Sequence, residues 1–243
     1  MQKFFVPHKQ ITQNQAVIQG QDARHIHRVL RLVPGDMVNF TDGQGTDFTG
    51  RISDAGSDRV CLEIVDTQIS QSESPLPLTV CTGMLKHQKM DEIIKGLTQM
   101  GITEWIPFYC ERSIPFPDAR ALARRMERWQ SIAAETIKQC RRSRLVKIAS
   151  PKTFDEILDV ATAFDHCIAF WEKSSQPLSF LHPMDNTNRT ILLTGPEGGF
   201  SDAEMEKATA RGFVSYSLGP RILRAETAAL CGAALIQHRL GDM

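Results

Sequence analysis

The spacing of hydrophobic and polar residues along this chain changes near residue 70. Before that point, short apolar runs alternate with turn signals such as Pro34-Gly35-Asp36 and Asp42-Gly43. Runs of this kind, separated by glycine and proline, predict the strands of a small β-barrel. The expected strands are residues 37–40, 47–52 and 60–65, and one helix is expected over residues 22–32.

A polar, proline-bearing stretch over residues 67–77 is the best candidate for a linker. Beyond it, apolar strand runs alternate with helical patterns, which predicts a mostly parallel sheet covered by helices. The expected strands are residues 78–82, 105–108, 167–170, 190–194 and 214–218. The expected helices are residues 90–100, 118–140 (as one helix or two), 154–163, 201–211 and 225–239. The chain is therefore expected to be an α/β protein with domains over residues 1–70 and 76–243.

One loop between a predicted strand and a predicted helix is rich in glycine. It has the sequence LTGPEGGFSDAEM and begins at Leu193. Ser201 and Glu204 form a capping-box pattern, so a helix starts there and backbone N–H groups of the loop can face a ligand. The loop lacks the Gly-Lys-Ser/Thr ending of a Walker loop. Glu197 disfavours a triphosphate and tolerates a cation. On local grounds alone, an ordinary strand–helix turn is an equally good interpretation.

A second string, LGPRILRAETAAL, begins at Leu218 and gives that loop a partner. Together the two strings resemble those of the SPOUT methyltransferases, and more closely those of the bacterial family that methylates N3 of a uridine in small-subunit ribosomal RNA. In that family, G-P-E-G-G-F and L-G-x-R-I-L-R-x-E-T-A form the loops of a deep trefoil knot that binds S-adenosylmethionine. The resemblance implies a knotted C-terminal SPOUT domain, a PUA-like N-terminal barrel and an enzyme that methylates 16S ribosomal RNA.

Further motifs extend the resemblance over most of the chain. HIHRVLRL at His25, Glu111-Arg112-Ser113 and the helix around Arg128-Trp129 all match family elements. Departures from the family pattern occur at His87, Gln88, Gly96, Gln99 and Arg141. None of these positions lies in the two loops, so methyl transfer is still expected. The RNA contacts that the resemblance implies for residues 86–99 rest on a poorer match to the family pattern.

The resemblance implies a cofactor site built from both loops. The residues that would contact S-adenosylmethionine are Leu193, Thr194, Gly195, Glu197, Gly198, Leu218, Gly219, Ile222, Leu223 and Ala228. The three leucines and Ile222 would sandwich the adenine, although ordinary core packing is an equally good role for them. The strand end at residues 170–172 reaches the same sheet edge and is a weaker candidate for the pocket.

Methylation of uridine N3 requires that the N3 proton be removed or that the resulting anion be stabilised. Arg224 is the first candidate to stabilise the anion, although a salt bridge to Glu226 or Glu197 is the commoner role for such an arginine. Glu197 and Glu226 are the candidate proton acceptors. Glu226 has the alternative role of an acidic residue in the first turn of its own helix.

The formal net charge is +0 and gives no overall sign of nucleic-acid binding. The local distribution of charge does indicate RNA binding. Basic residues dominate between Arg120 and Lys147, where a phosphate-facing surface is at least as good an interpretation as a solvated helix face. The expected RNA contacts are Arg24, His25, His27, Arg28, Arg31, Lys86, Lys89 and Arg112. His25 and His27 lie on different helix faces, which argues against a shared metal.

The remaining sequence features limit the possible location, assembly and function of the protein. No apolar run is long enough to span a membrane, and the N-terminus lacks the apolar core of a signal peptide, so a cytoplasmic location is expected. A homodimer is expected because SPOUT relatives pair through helices beside the knot, and the small-residue helix over 225–240 is suited to close packing. The alternative to an enzyme is a noncatalytic RNA-binding assembly factor with the same fold. A phosphate- or ATP-using enzyme is disfavoured by the missing lysine.

Overall fold

The computed structural model describes residues 3–113, 118–181 and 188–243. The chain divides into two compact units. The first unit consists of Met1–Glu73 and Ala134–Leu145, and the second consists of Ser74–Ala133 and Val146–Met243.

The first unit contains a curled, PUA-like sheet that forms a half-barrel. Its strands are β1 (Lys3–Phe5), β2 (Gln15–Gln19), β3 (Met37–Thr41), β4 (Thr46–Ala55) and β5 (Arg59–Ile69), in the order β1-β3-β4-β5-β2. β1 lies parallel to β3, and the other neighbours are antiparallel. The N-terminal barrel-like class is therefore confirmed, but β1 and β2 were not predicted, because one is very short and the other has polar ends. Phe4, Ile18, Phe40 and Leu62 lie in its core.

The helix predicted over residues 22–32 consists of a short α-helix followed by a π-helical turn. α1 spans Gly20–Arg24, and a π-helical turn follows over His25–Leu30. The turn ends at Arg31, whose φ of 53° is left-handed and stops the helix. Only Ala23 and Ile26 of these residues are buried, so the basic side chains here point outward.

Ion pairs internal to the first unit engage part of the basic stretch between Arg120 and Lys147. Lys138 contacts Asp22 at 2.9 Å, and the guanidinium of Arg142 contacts Glu73 at 2.8 Å. Arg142 is only 3% exposed. The expectation that this whole stretch faces phosphate is therefore wrong for Arg142, whose burial leaves it no RNA-facing surface.

The second unit is built on a parallel sheet. Its strands are β6 (Leu78–Gly83), β7 (Glu104–Tyr109), β8 (Lys147–Ile148), β9 (Lys152–Thr153), β10 (His166–Phe170), β11 (Thr190–Thr194) and β12 (Val214–Tyr216). The order is β12-β10-β11-β6-β7-β8, with β9 also pairing with β7. The predicted parallel sheet is confirmed. The linker prediction is wrong at its start, because β5 of the first unit continues through Ile69.

Helices cover both faces of this sheet. They are α2 (His87–Gln99), α3 (Ala119–Cys140), α4 (Phe154–Ala161), α5 (Asp202–Ala210) and α6 (Ala225–Leu240). Leu192 packs in the cluster that contains residues of α2, α3 and α6, whereas Ile191 and Leu193 pack with α4 and α5. Burial on both faces explains why this strand is apolar at consecutive positions.

The small residues of α6 serve packing inside the second unit. Ala229 and Ala233 are fully buried. A Cβ at Gly232 would lie 2.8 Å from the ring of Phe170, so only glycine lets the helix approach the sheet this closely. Packing within one chain therefore explains the small residues of α6, and these residues do not by themselves indicate a dimer.

Candidate cofactor-binding and catalytic site

A large cavity opens at the carboxyl edge of the parallel sheet. The loops after β10, β11 and β12 meet there because these strands are adjacent and parallel. Ligands of open α/β sheets bind at this edge. The cavity has a volume of about 950 Å³, which is within the range of sites for small molecules and cofactors.

Most of the residues expected to contact a cofactor line this cavity. They are Thr194, Gly195, Glu197, Gly198, Leu218, Gly219, Ile222, Leu223 and Ala228, and Arg224 joins them. Leu193 does not: it is fully buried, and its side chain packs in the core with residues of α4 and α5. Phe170, Trp171 and Glu172 also line the cavity, together with Ser174, Ser175 and Pro177, which no sequence signal singled out.

The glycine loop is closely surrounded on two sides. Gly199 has a φ of +67°, and a Cβ there would lie 2.6 Å from Oε1 of Glu172. A Cβ on Gly198 would lie 2.8 Å from Cβ of Arg112. Glycine allows the left-handed φ at Gly199, and at both positions the absence of a Cβ lets the backbone lie against these neighbours.

A turn over residues 110–113 holds the glycine loop in place. Arg112 donates from Nη1 to the carbonyl of Gly198 at 3.1 Å. Glu204 accepts from the backbone N–H of Glu111 at 2.9 Å and from that of Ser201 at 2.9 Å. The capping box of Ser201 and Glu204 is confirmed. Arg112 was expected to contact RNA, and nothing in its local sequence pointed to the loop that it supports.

Replacing Glu204 with alanine should destabilise the fold by about 2 kcal/mol, because the backbone N–H groups of Ser201 and Glu111 both lose their carboxylate acceptor at a buried site. The measurement is urea unfolding. The matched control is Glu156→Ala, which removes the same capping-box residue from α4 at an exposed position. Glu156→Ala should lower the free energy of unfolding by clearly less than Glu204→Ala. Equal losses would mean that the link to Glu111 contributes nothing.

An ionic cluster lies at the cavity wall and joins three elements. Nζ of Lys89, on α2, is 2.8 Å from Oε1 of Glu197 and 3.3 Å from Oε2 of Glu226. The hydrogen bond with Lys89 lowers the pKa of the Glu197 carboxyl, and the bond with Glu197 is the main cause that raises the pKa of the Lys89 ammonium. Both groups are therefore charged throughout the neutral range. Glu226 does not line the cavity itself, but its carboxylate contacts Lys89, which does.

Arg224 is exposed and is the residue at which α6 begins. Its side chain makes no capping hydrogen bond. The salt bridge considered above between Arg224 and Glu197 or Glu226 is not formed, because Lys89 pairs with both carboxylates. Arg224 is therefore a cation at the cavity that is available to a substrate.

The other residues expected to contact RNA lie on surfaces of their own units. In the first unit, His27, Arg28 and Arg31 are exposed, and Arg24 pairs with Asp58 at 2.7 Å. His25 is half-buried, with its ring 6.4 Å from that of Phe4. In the second unit, Lys86 is exposed beside the start of α2.

Two other structural features are absent from the described ranges. Within residues 3–113, 118–181 and 188–243, no group of histidine, cysteine, aspartate or glutamate side chains is arranged to hold a metal ion. No helix in the same ranges is both long and apolar enough to cross a bilayer.

Comparison with protein families gives the class to which this fold and cavity belong. A family model described as the RNA methyltransferase domain matches residues 72–237, and one described as the RNA methyltransferase PUA domain matches residues 18–65. The fold and the cavity at the sheet edge are therefore those of an RNA methyltransferase.

Individual relatives narrow that class. The ribosomal RNA small subunit methyltransferase E of Synechocystis is 32% identical over 98% of this chain and 78% of its own length. That of Bacillus subtilis is 28% identical over 98% of this chain and 97% of its own. This chain belongs to the ribosomal RNA small subunit methyltransferase E family.

Solved structures agree with that assignment. The small subunit methyltransferase E of Neisseria gonorrhoeae, bound to S-adenosylmethionine, superposes with a TM-score of 0.89 at 27% identity, covering 100% of this chain and 99% of that one. A methyltransferase of Legionella pneumophila, also bound to S-adenosylmethionine, gives a TM-score of 0.87 at 26% identity, covering 99% and 98%.

Proposed function

We propose that this protein transfers a methyl group from S-adenosylmethionine to N3 of a uridine in 16S ribosomal RNA. The observation that carries the proposal is the cavity at the carboxyl edge of the sheet, which the loops after β11 and β12 line. Family membership supports the reaction class and the RNA substrate, and two similar structures contain S-adenosylmethionine. The N3 position of uridine follows from the resemblance of the loop sequences.

The residues present in the cavity fit this cofactor. A volume of about 950 Å³ accommodates a nucleoside joined to an amino acid. Gly195, Gly198 and Gly219 expose backbone groups to the cavity, and Leu218 and Leu223 offer apolar surface for adenine. The bound cofactor supplies an activated methyl group on a sulfonium, so the protein has mainly to bind, orient and stabilise charge.

Arg224 is proposed to carry the catalytic charge stabilisation. Deprotonation of uridine N3 places negative charge on the uracil carbonyl oxygens, and an exposed guanidinium at the cavity wall can hydrogen-bond to them. Glu197 is proposed as the proton acceptor, with Glu226 paired to the same lysine behind it. Its lowered pKa makes Glu197 a weak base, so stabilisation of the anion by Arg224 is the larger contribution.

The RNA is proposed to be held by exposed basic residues of both units. In the first unit these are Arg24, His27, Arg28 and Arg31, and His25 is proposed as a supporting residue. Exposed cations suit a folded RNA, which is recognised largely through its shape and phosphates. Lys86 is the corresponding candidate in the second unit. A cytoplasmic location, where ribosomal RNA is available, and the trefoil knot both remain predictions.

Two measurements test the proposed function. Calorimetric titration of the folded protein with S-adenosylmethionine should show one site per chain. Comparison of methylated nucleotides in 16S ribosomal RNA from cells with and without this protein should show the loss of one N3-methyluridine. Methylation that is unchanged in cells lacking the protein would overturn the proposal.

A homodimer is proposed on the basis of the resemblance to SPOUT relatives. Because Ala229, Gly232 and Ala233 face the core of their own chain, a dimer that uses α6 has to pair through its outer face, where Cys231 and Leu235 are exposed. Sedimentation velocity should give a dimer for the unmodified protein and a monomer for Leu235→Arg. A monomer in both cases at working concentration would contradict the proposal.

A further inference from the structure

The cluster of Lys89, Glu197 and Glu226 has unequal numbers of positive and negative groups. One ammonium faces two carboxylates at 2.8 and 3.3 Å, so the cluster has a net charge of −1 when all three groups are ionised. The cluster brings together α2, the glycine loop and α6, which are distant in sequence. Its position at the wall of the cavity lets this net charge act on whatever occupies the cavity.

Lys89 controls how much of the negative charge reaches the cavity. It lines the cavity and is 31% exposed at its side chain, whereas the side chain of Glu226 is 14% exposed. Glu197 lines the cavity as well, with 46% of its side chain exposed. The ammonium therefore covers one carboxylate and neutralises part of the charge on the other.

The methyl donor and its product differ in the property to which such a cluster responds. S-adenosylmethionine has a positively charged sulfonium, and S-adenosylhomocysteine has a neutral thioether; the two otherwise share the same groups. A negative environment favours the sulfonium by an energy that scales with the net charge of the environment. The ratio of the two affinities therefore measures the charge at the cavity and is insensitive to general damage.

We propose that Lys89 is a specificity-determining residue that sets the preference of the cavity for the sulfonium donor over the thioether product. The inference rests on the proposed function, since it assumes that this cavity holds the cofactor. With Lys89 present, the cluster contributes a net charge of −1 to a cavity that Glu172, Arg221 and Arg224 also line. Without it, the two carboxylates would hold the sulfonium more tightly relative to the thioether.

The test is calorimetric titration of the full-length protein with S-adenosylmethionine and with S-adenosylhomocysteine. Lys89→Met changes the cluster charge to −2 and should raise the donor-to-product affinity ratio by about threefold to tenfold. Glu197→Gln and Glu226→Gln change it to 0 and should lower the ratio by a similar factor. Lys89→Arg keeps the charge and should restore the ratio of the unmodified protein.

Lys95→Met is the matched control, because Lys95 is an exposed lysine on the same helix. It should leave the ratio unchanged, and the shift in Lys89→Met should shrink as salt is added. If Lys89→Met weakens both ligands equally, Lys89 has only a structural role and the inference is overturned. If the folded, unmodified protein binds neither ligand, the proposed function itself fails, and the inference with it.

Discussion

Replacing Gly83 with alanine should lower the affinity for S-adenosylmethionine by about tenfold to hundredfold in a chain that still folds, because a displacement of about 1 Å at a preorganised site has effects of this size. A Cβ at Gly83 would lie 2.5 Å from the backbone nitrogen of Pro196 and 2.9 Å from the carbonyl carbon of Gly195. Both atoms belong to the glycine loop, and neither can move by a change of side-chain rotamer.

The loop, not the strand, has to give way in that variant. β6 is held on both sides by parallel pairing, with Thr82 opposite Thr194 of β11 and Gly83 opposite Phe108 of β7. The added methyl group therefore pushes residues 195–196 away from the sheet and alters the cavity that they line. Calorimetric titration with S-adenosylmethionine measures the loss, and circular dichroism checks that the fold is retained.

Gly212→Ala is a control that separates lost stability from lost binding. Gly212 has a φ of +88° and nothing within 4 Å of an added Cβ, so alanine there introduces backbone strain of about 1 kcal/mol without displacing a neighbour. It should lower the unfolding midpoint and leave cofactor affinity intact. If Gly83→Ala binds as tightly as the unmodified protein, the close approach of β6 to the loop has no role in shaping the cavity.

The parts of the fold that were predictable are those set by local sequence. Continuous apolar runs such as residues 190–194 identify strands buried on both faces, and Ser201 with Glu204 identifies the start of α5. The two loop sequences identified most of the cavity wall, because the carboxyl ends of neighbouring parallel strands meet at one edge.

The parts that were not predictable depend on contacts between distant residues. β8 and β9 are two-residue strands, too short for any periodicity. Lys89 was assigned to RNA through the resemblance to the family pattern. Only the packing of α2 and α6 against the glycine loop brings it to Glu197 and Glu226. Leu193 was assigned to the cofactor, because sequence shows that a strand residue is buried but not which face it occupies.

Replacing Arg224 with alanine should lower the turnover number for RNA methylation by about a hundredfold to a thousandfold, the usual effect of removing one group that stabilises developing negative charge. Cofactor affinity should change little. The side chain of Arg224 makes no capping bond to α6, so its removal leaves the backbone of the helix start unaltered. Single-turnover methylation of small-subunit RNA, with calorimetric titration of the cofactor, measures the two effects separately.

The pH dependence distinguishes charge stabilisation from RNA binding. As pH rises, more of the uridine is already ionised at N3, so the defect of Arg224→Ala should become smaller in alkaline solution, whereas a lost phosphate contact would give the same defect at every pH. Arg211→Ala is the control for loss of one surface arginine; its exposed ion pair with Asp159 contributes little, and activity should be unchanged. A defect in Arg224→Ala that is independent of pH and follows RNA affinity would assign Arg224 to substrate binding instead.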